Sequence, residues 1–119
     1  MLDGLLVRFV EGKGRGVFAC RKFSQGEVIE QAPVLVLRED EYELLNHTVL
    51  RDYYYAWGDD ACAIPLGLSM LYNYSDHPNA QTIRDTQNGT ITFVAIRDID
   101  AGEEISHRYL CAPWFKVLD

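Results

Sequence analysis

The stretch Leu66-Gly67-Leu68-Ser69-Met70-Leu71-Tyr72-Asn73-Tyr74-Ser75-Asp76-His77-Pro78-Asn79-Ala80 limits the possible folds more than any other part of the chain. Its first residues are mostly apolar and belong in a core. They run directly into Asn73, whose amide carries two donors and an acceptor that need partners once desolvated. Pro78 fixes its own φ and pushes His77 towards an extended conformation, so a helix through Leu71 has to stop before the Asp76-His77-Pro78-Asn79 turn. The pattern predicts a short buried helix over Leu66 to Asn73 that ends in a polar loop, with Asn73 as a structural knot or as part of a site.

The rest of the chain reads mainly as β structure. Leu5–Val10, Gly16–Ala19, Val28–Gln31, Val34–Leu37, Gln81–Arg84 and Thr90–Ala95 are β-branched or aromatic runs bounded by Gly, Asn or Asp. Asn88-Gly89 supplies the positive φ values of a tight hairpin, which pairs Thr82–Arg84 with Ile91–Phe93. Helical periodicity appears only at Glu39–Leu45, with Tyr42, Leu44 and Leu45 available for burial, and in the run Leu66–Asn73. An internal echo relates Arg21-Lys22-Phe23-Ser24-Gln25-Gly26-Glu27-Val28-Ile29 to Arg97-Asp98-Ile99-Asp100-Ala101-Gly102-Glu103-Glu104-Ile105. Each copy reads as strand, tight turn, strand, with Gly relieving the turn.

A length of 119 residues suits one domain, 1–119, with a core that needs no staples. No apolar run approaches the roughly 18 residues of a membrane span. Met1-Leu2-Asp3-Gly4 lacks the basic start and apolar core of a signal peptide, so an intracellular protein is expected. Cys20, Cys62 and Cys111 are odd in number without CxxC spacing, which indicates neither a disulfide framework nor a zinc cluster. A net charge of −7 argues against nucleic acid and suits a cationic partner.

The candidate chemistry is spread along the chain. Gly12-Lys13-Gly14-Arg15-Gly16-Val17-Phe18 allows close backbone approach to a ligand, yet it lacks the Gly-Lys-Ser/Thr ending of a P-loop and leads into a strand, not a helix. By itself it reads as a surface turn. Tyr53-Tyr54-Tyr55-Ala56-Trp57, read as a strand, puts Tyr53, Tyr55 and Trp57 on one face, which serves either as core or as a channel for a cationic side chain. His107 and Cys111 with His77 or Asp76 do not make a convincing ligand set for a metal. Ser69 and Ser75 lack a nucleophile elbow. Glu103 and Glu104 point to opposite faces of a strand and read as turn and surface carboxylates.

Taken in order, four blocks resemble the SET-domain protein-lysine methyltransferases, particularly the minimal viral and bacterial forms. They are Gly12–Ala19, Gly26–Glu30, Gly67 through Asn73-Tyr74-Ser75 with Pro78-Asn79-Ala80, and Gly102-Glu103-Glu104-Ile105 ending at Tyr109; the likeness runs from Gly12 to about Trp114. The resemblance implies a β-clip-like fold of small sheets with a C-terminal pseudoknot that brings Asn73-Tyr74 beside Tyr109. It implies methyl transfer from S-adenosyl-L-methionine to a lysine of a protein substrate, with histone as the family's example.

By the same likeness, Tyr109 is catalytic. Lys13, Gly14, Arg15, Gly16, Asn73, Tyr74 and Trp114 hold the cofactor, with Trp114 or Phe115 over the adenine. Tyr53, Tyr55 and His107 line the channel for the substrate lysine, and the peptide adds as a strand. Three departures stand out: Asn73-Tyr74-Ser75 replaces Asn-His-Ser, His107 precedes Tyr109 where the family often has an aromatic or aliphatic residue, and Leu110-Cys111 follows it with no cysteine-rich zinc module. In such minimal forms a homodimer supplies missing cover for the site. The alternative reading is a SET-like module without catalysis that binds a basic peptide or S-adenosylmethionine.

Overall fold

The structure, a computed structural model, describes residues 3–108. Its strands are β1 (Leu5–Val10), β2 (Gly14–Ala19), β3 (Val28–Leu37), β4 (Tyr55–Trp57), β5 (Ala61–Pro65), β6 (Asn73–Tyr74), β7 (Ala80–Asp85), β8 (Thr90–Ala95) and β9 (Glu104–His107). One sheet has the order β1-β2-β9-β6 and the other β4-β5-β3-β8-β7. Helix α1 (Glu39–Leu45) and a 3-10 turn at Val49–Asp52 complete the fold, which is mainly β as expected. Val17, Phe23, Ile91, Phe93, Ile99 and Ile105 are fully buried and form the centre of the core.

The β7–β8 hairpin has the anticipated register, with Thr82 opposite Phe93 and Arg84 opposite Ile91. Its turn is longer than a two-residue Asn-Gly turn. Only Gly89 takes a positive φ, 68°. Asp85 caps the loop by accepting from the backbone N–H groups of Gln87 and Asn88 at 3.1 and 2.9 Å. The Asn88 contacts hold its carboxyl below the usual range.

Val28–Gln31 and Val34–Leu37 turn out to be one strand. Residues 28–33 of β3 pair with β8, and residues 34–37 pair with β5. Pro33 stands at the change of partner, where its missing N–H costs no ladder bond. Helix α1 has the expected bounds but buries none of its residues, and Leu44 is 69% exposed. Its acidic first turn and the Glu41 carboxylate, which accepts the Arg38 N–H at 3.0 Å, sustain it at the surface.

No helix forms over Leu66 to Asn73. The chain instead makes turns, with Gly67 at φ 75°, and enters β6 at Asn73. The buried Glu30 carboxylate anchors this segment to β3 by accepting the Leu68 N–H at 2.9 Å and the Tyr72 hydroxyl at 2.7 Å. The positive φ of Gly67 takes the chain off the helical path, and the two bonds to Glu30 hold the resulting turns against β3. Burial and the adjacent Glu30 charge raise the Tyr72 phenol and keep it a donor.

The echoed segments meet across a local pseudo-two-fold. Phe23 and Ile99 form an isolated antiparallel bridge, not the leading strands predicted for each copy, with N···O distances of 2.9 and 2.8 Å. The Gly26 N–H donates to Ala95 O at 2.8 Å, and the Gly102 N–H donates to Ala19 O at 2.7 Å. Each turn therefore docks on the strand that precedes the other copy.

Candidate active site

The glycine-rich segment is the turn of the β1–β2 hairpin, where Val10 faces Gly14 and the Lys13 N–H donates to Val10 O at 3.0 Å. Gly12 and Gly14 take φ values of 83° and 84°, which L side chains adopt only with strain. Gly16 is needed for a different reason. A Cβ there would lie 2.6 Å from Glu104 Oε2 and 2.9 Å from Asn73 Nδ2.

Asn73 and Glu104 reach the hairpin because β6 and β9 run parallel, with Asn73 beside Ser106 and Tyr74 beside His107. β9 lies between β2 and β6, so the last strand of the described residues is inserted between the glycine hairpin and the Asn73 segment. Asn79, nearly fully buried, fastens that insertion. Its Nδ2 donates to Glu104 O at 2.8 Å, and its Oδ1 accepts the Ser106 N–H at 2.9 Å. The Ser75 N–H adds a bond to His107 O at 3.0 Å.

The Asn73 amide nitrogen donates to Arg15 O at 3.1 Å and to Glu104 Oε2 at 2.6 Å. Lys13 Nζ lies 3.6 Å from Glu104 Oε1. Lys13, Arg15, Gly16, Asn73 and Glu104 thus form one cluster at the seam of β2, β9 and β6. Gly14 beside it has open space where a Cβ would stand.

A second cluster lies behind β9. The His107 ring, 1% exposed, stacks on Tyr55 at 6.0 Å and meets the edge of Phe93 at 5.4 Å. Burial pushes its pKa down to about 4, against a bond with the Tyr72 backbone that favours the charged form, and the Arg84 charge lowers it further. The imidazole is neutral at physiological pH. The Tyr55 hydroxyl donates to Ser69 O at 2.5 Å, and the Arg84 guanidinium lies 5.3 Å from the Tyr55 ring centroid.

The sequence profile of the SET domain matches residues 14–110. The chain belongs to the SET-domain family. It is 36% identical over 113 residues to the Schizosaccharomyces pombe "Histone-lysine N-methyltransferase, H3 lysine-37 specific", covering 94% of this chain and 77% of that protein. It is also 36% identical over 121 residues to the N-lysine methyltransferase KMT5A-A of Danio rerio, covering 90% of this chain and 35% of that longer protein. A solved Plasmodium falciparum structure assigned as a histone methyltransferase superposes with a TM-score of 0.75 at 27% identity, covering 98% of this chain and all of that one.

In this SET domain, Lys13, Arg15, Gly16 and Asn73 come together in one cluster, with Gly14 alongside. Tyr74 follows Asn73 in β6, and its hydroxyl donates to Asp76 Oδ1 at 2.9 Å. Tyr55 and His107 share the buried cluster behind β9. Tyr53 ends the Val49–Asp52 turn and only Tyr55–Trp57 is strand, so a single strand starting at Tyr53 does not form. Tyr109, Leu110, Cys111, Trp114 and Phe115 lie outside the described residues.

Glu104 and Asn79 hold this seam together, and neither was singled out as a site residue from the sequence. Glu104 resembles a surface carboxylate because its partners, Lys13 and Asn73, are remote in sequence. For Asn79, the available signal was a polar residue directly before the apolar start of β7.

Proposed function

We propose that this SET domain is a protein-lysine N-methyltransferase that moves a methyl group from S-adenosyl-L-methionine to a lysine ε-amine of a protein substrate, with histone the first candidate. The parallel pairing of β6 with β9 carries the reading. It sets Asn73 against the glycine hairpin and ends two residues before Tyr109, joining three of the family's blocks at one seam.

The residues present suit the cofactor. Open space at Gly14, the close approach at Gly16 and a Lys13–Glu104 pair of opposite charges fit a ligand with an adenosyl group and a zwitterionic amino-acid end. S-adenosylmethionine, when bound, supplies an activated methyl on a sulfonium. The chain's part is to align a neutral amine with that methyl and to exclude water. By its place in the motif, the Tyr109 phenol would orient the amine and accept weak CH···O contacts. A lysine of ordinary pKa, about 10.4, has to lose a proton first. An apolar channel walled by Tyr53 and other aromatic side chains would lower that pKa, and water would take the proton.

A basic peptide suits a chain of net charge −7 that has a surface cleft lined by Glu39, Asp40, Glu43 and Asp60 against a single cation, Arg38. Relatives named for histone substrates favour a nuclear or other intracellular setting. A second copy of the chain would provide cover for the site, as in the minimal SET proteins this chain resembles.

Calorimetric titration with S-adenosylmethionine, followed by mass spectrometry of histone and lysate peptides incubated with it, tests the proposal. Tyr109→Phe should still bind the cofactor and lose most transfer. An unchanged rate would remove Tyr109 from the mechanism.

A further inference from the structure

Glu103 and Glu104 are neighbours in sequence with separate duties. Glu103 repeats what Glu27 does in the first copy of the echo. Glu103 accepts the Asp100 N–H at 3.1 Å and pairs with Arg97 at 3.3 Å. Glu27 accepts the Ser24 N–H at 3.0 Å and pairs with Arg21 at 2.9 Å. The counterpart of Glu104 is Val28, which is 53% exposed. The turn therefore needs no carboxylate at that position.

Glu104 nonetheless has a side chain only 19% exposed, with both oxygens engaged. Oε2 accepts from Asn73 Nδ2 at 2.6 Å, and Oε1 lies 3.6 Å from Lys13 Nζ. The missing Cβ of Gly16 leaves the space that Oε2 fills. One carboxylate thus ties together two residues, Lys13 and Asn73, from separate parts of the chain.

We propose that Glu104 is a positioning residue for S-adenosylmethionine: its carboxylate sets the Asn73 amide and the Lys13 ammonium against the β1–β2 hairpin before the ligand arrives. The role rests on the functional reading above. Ordering two side chains in advance removes that cost from binding. Glu104→Ala frees both, whereas Glu104→Gln frees Lys13 but keeps an oxygen that accepts from Asn73.

Calorimetric affinity for S-adenosylmethionine, read beside the melting temperature of each variant without ligand, tests this. Glu104→Ala should bind about tenfold more weakly with little change in melting temperature, and Glu104→Gln should recover to within about threefold of the parent. If Glu104→Ala binds as the parent does, or if Glu104→Gln is as weak as Glu104→Ala, the role is overturned. If Glu104→Ala does not fold, the cycle of Lys13→Met and Glu104→Gln decides. A double variant no weaker than the weaker single supports the role, and fully additive losses overturn it. Failure of the parent to bind defeats the functional reading itself, whereas binding by the parent with no loss in any variant defeats this role alone.

Discussion

The turn at Ser24–Glu27 and the turn at Asp100–Glu103 are built from the same parts and lead to different ends. Each has Gly at a positive φ, 87° at Gly26 and 94° at Gly102, and each has a Glu carboxylate that closes the turn and pairs with an upstream Arg. Beyond the turn, the first copy continues into β3, the long central strand of the larger sheet, with Val28 and Gln31 exposed. The second continues into β9, where the matching positions are Glu104, in the Lys13–Asn73 cluster, and His107, in the core. The shared residues build the scaffold. Of the two positions that differ beyond the turn, Glu104 enters the Lys13–Asn73 cluster and His107 fills the core.

The comparison breaks most severely at the residue that joins the two copies. Phe23→Ala should cost about 3–5 kcal/mol in urea unfolding, since it leaves a cavity at a fully buried ring. A loss below about 1 kcal/mol, the typical size for point variants, would mean the copies are not braced through Phe23 and Ile99.

The next effect separates the copies, because only the second carries a buried histidine. With the His107 pKa depressed from 6.5 to about 4, the unfolded chain binds the extra proton. Stability is therefore fully present above pH 6.5 and falls as pH drops towards 4, by up to about 1.4 kcal/mol per pH unit. Thermal melts of the parent and His107→Phe should diverge through this window, the variant showing the flatter curve. Parallel curves would refute the assignment.

Gly26→Ala and Gly102→Ala should cost nearly the same, about 1–2 kcal/mol each, because both have positive φ and open space for a Cβ. A large inequality in denaturant midpoints would show that the turns are not equivalent.

The smallest effect belongs to Glu27→Gln. The Ser24 N–H and the Arg21 guanidinium hold the Glu27 carboxyl below its usual range, so its contribution is present at neutral pH and vanishes as pH falls through that depressed value. The pair is exposed, and added salt should shrink the difference between parent and variant.

Local chemistry made part of this legible. The Thr82–Arg84 and Ile91–Phe93 register followed from the strand runs on either side of Asn88-Gly89, and the bounds of α1 followed from the spacing of Tyr42, Leu44 and Leu45, although that helix buries none of them. The same local view misjudged Leu66–Asn73, where Gly67 takes a positive φ and the Glu30 carboxylate that anchors the resulting turns lies in another strand. It also split β3 at Pro33, since proline lacks the N–H that a ladder uses, and nothing in neighbouring residues reveals that the strand changes partner there.

In the site, the glycines and Asn73 were recognisable by type and order. Glu104 was not, because a carboxylate next to a turn looks the same whether it faces water or an amide. The sequence by itself determined the β-rich class, the turn positions, the echo and the ordered blocks of the family, all of which depend on short-range patterns. Only the tertiary structure decided that β9 enters between β2 and β6, that the echoed turns clasp each other, and that Glu104 joins Lys13 to Asn73. Those are contacts between residues far apart in the chain, whose partners are selected by packing and by the need to satisfy buried polar groups.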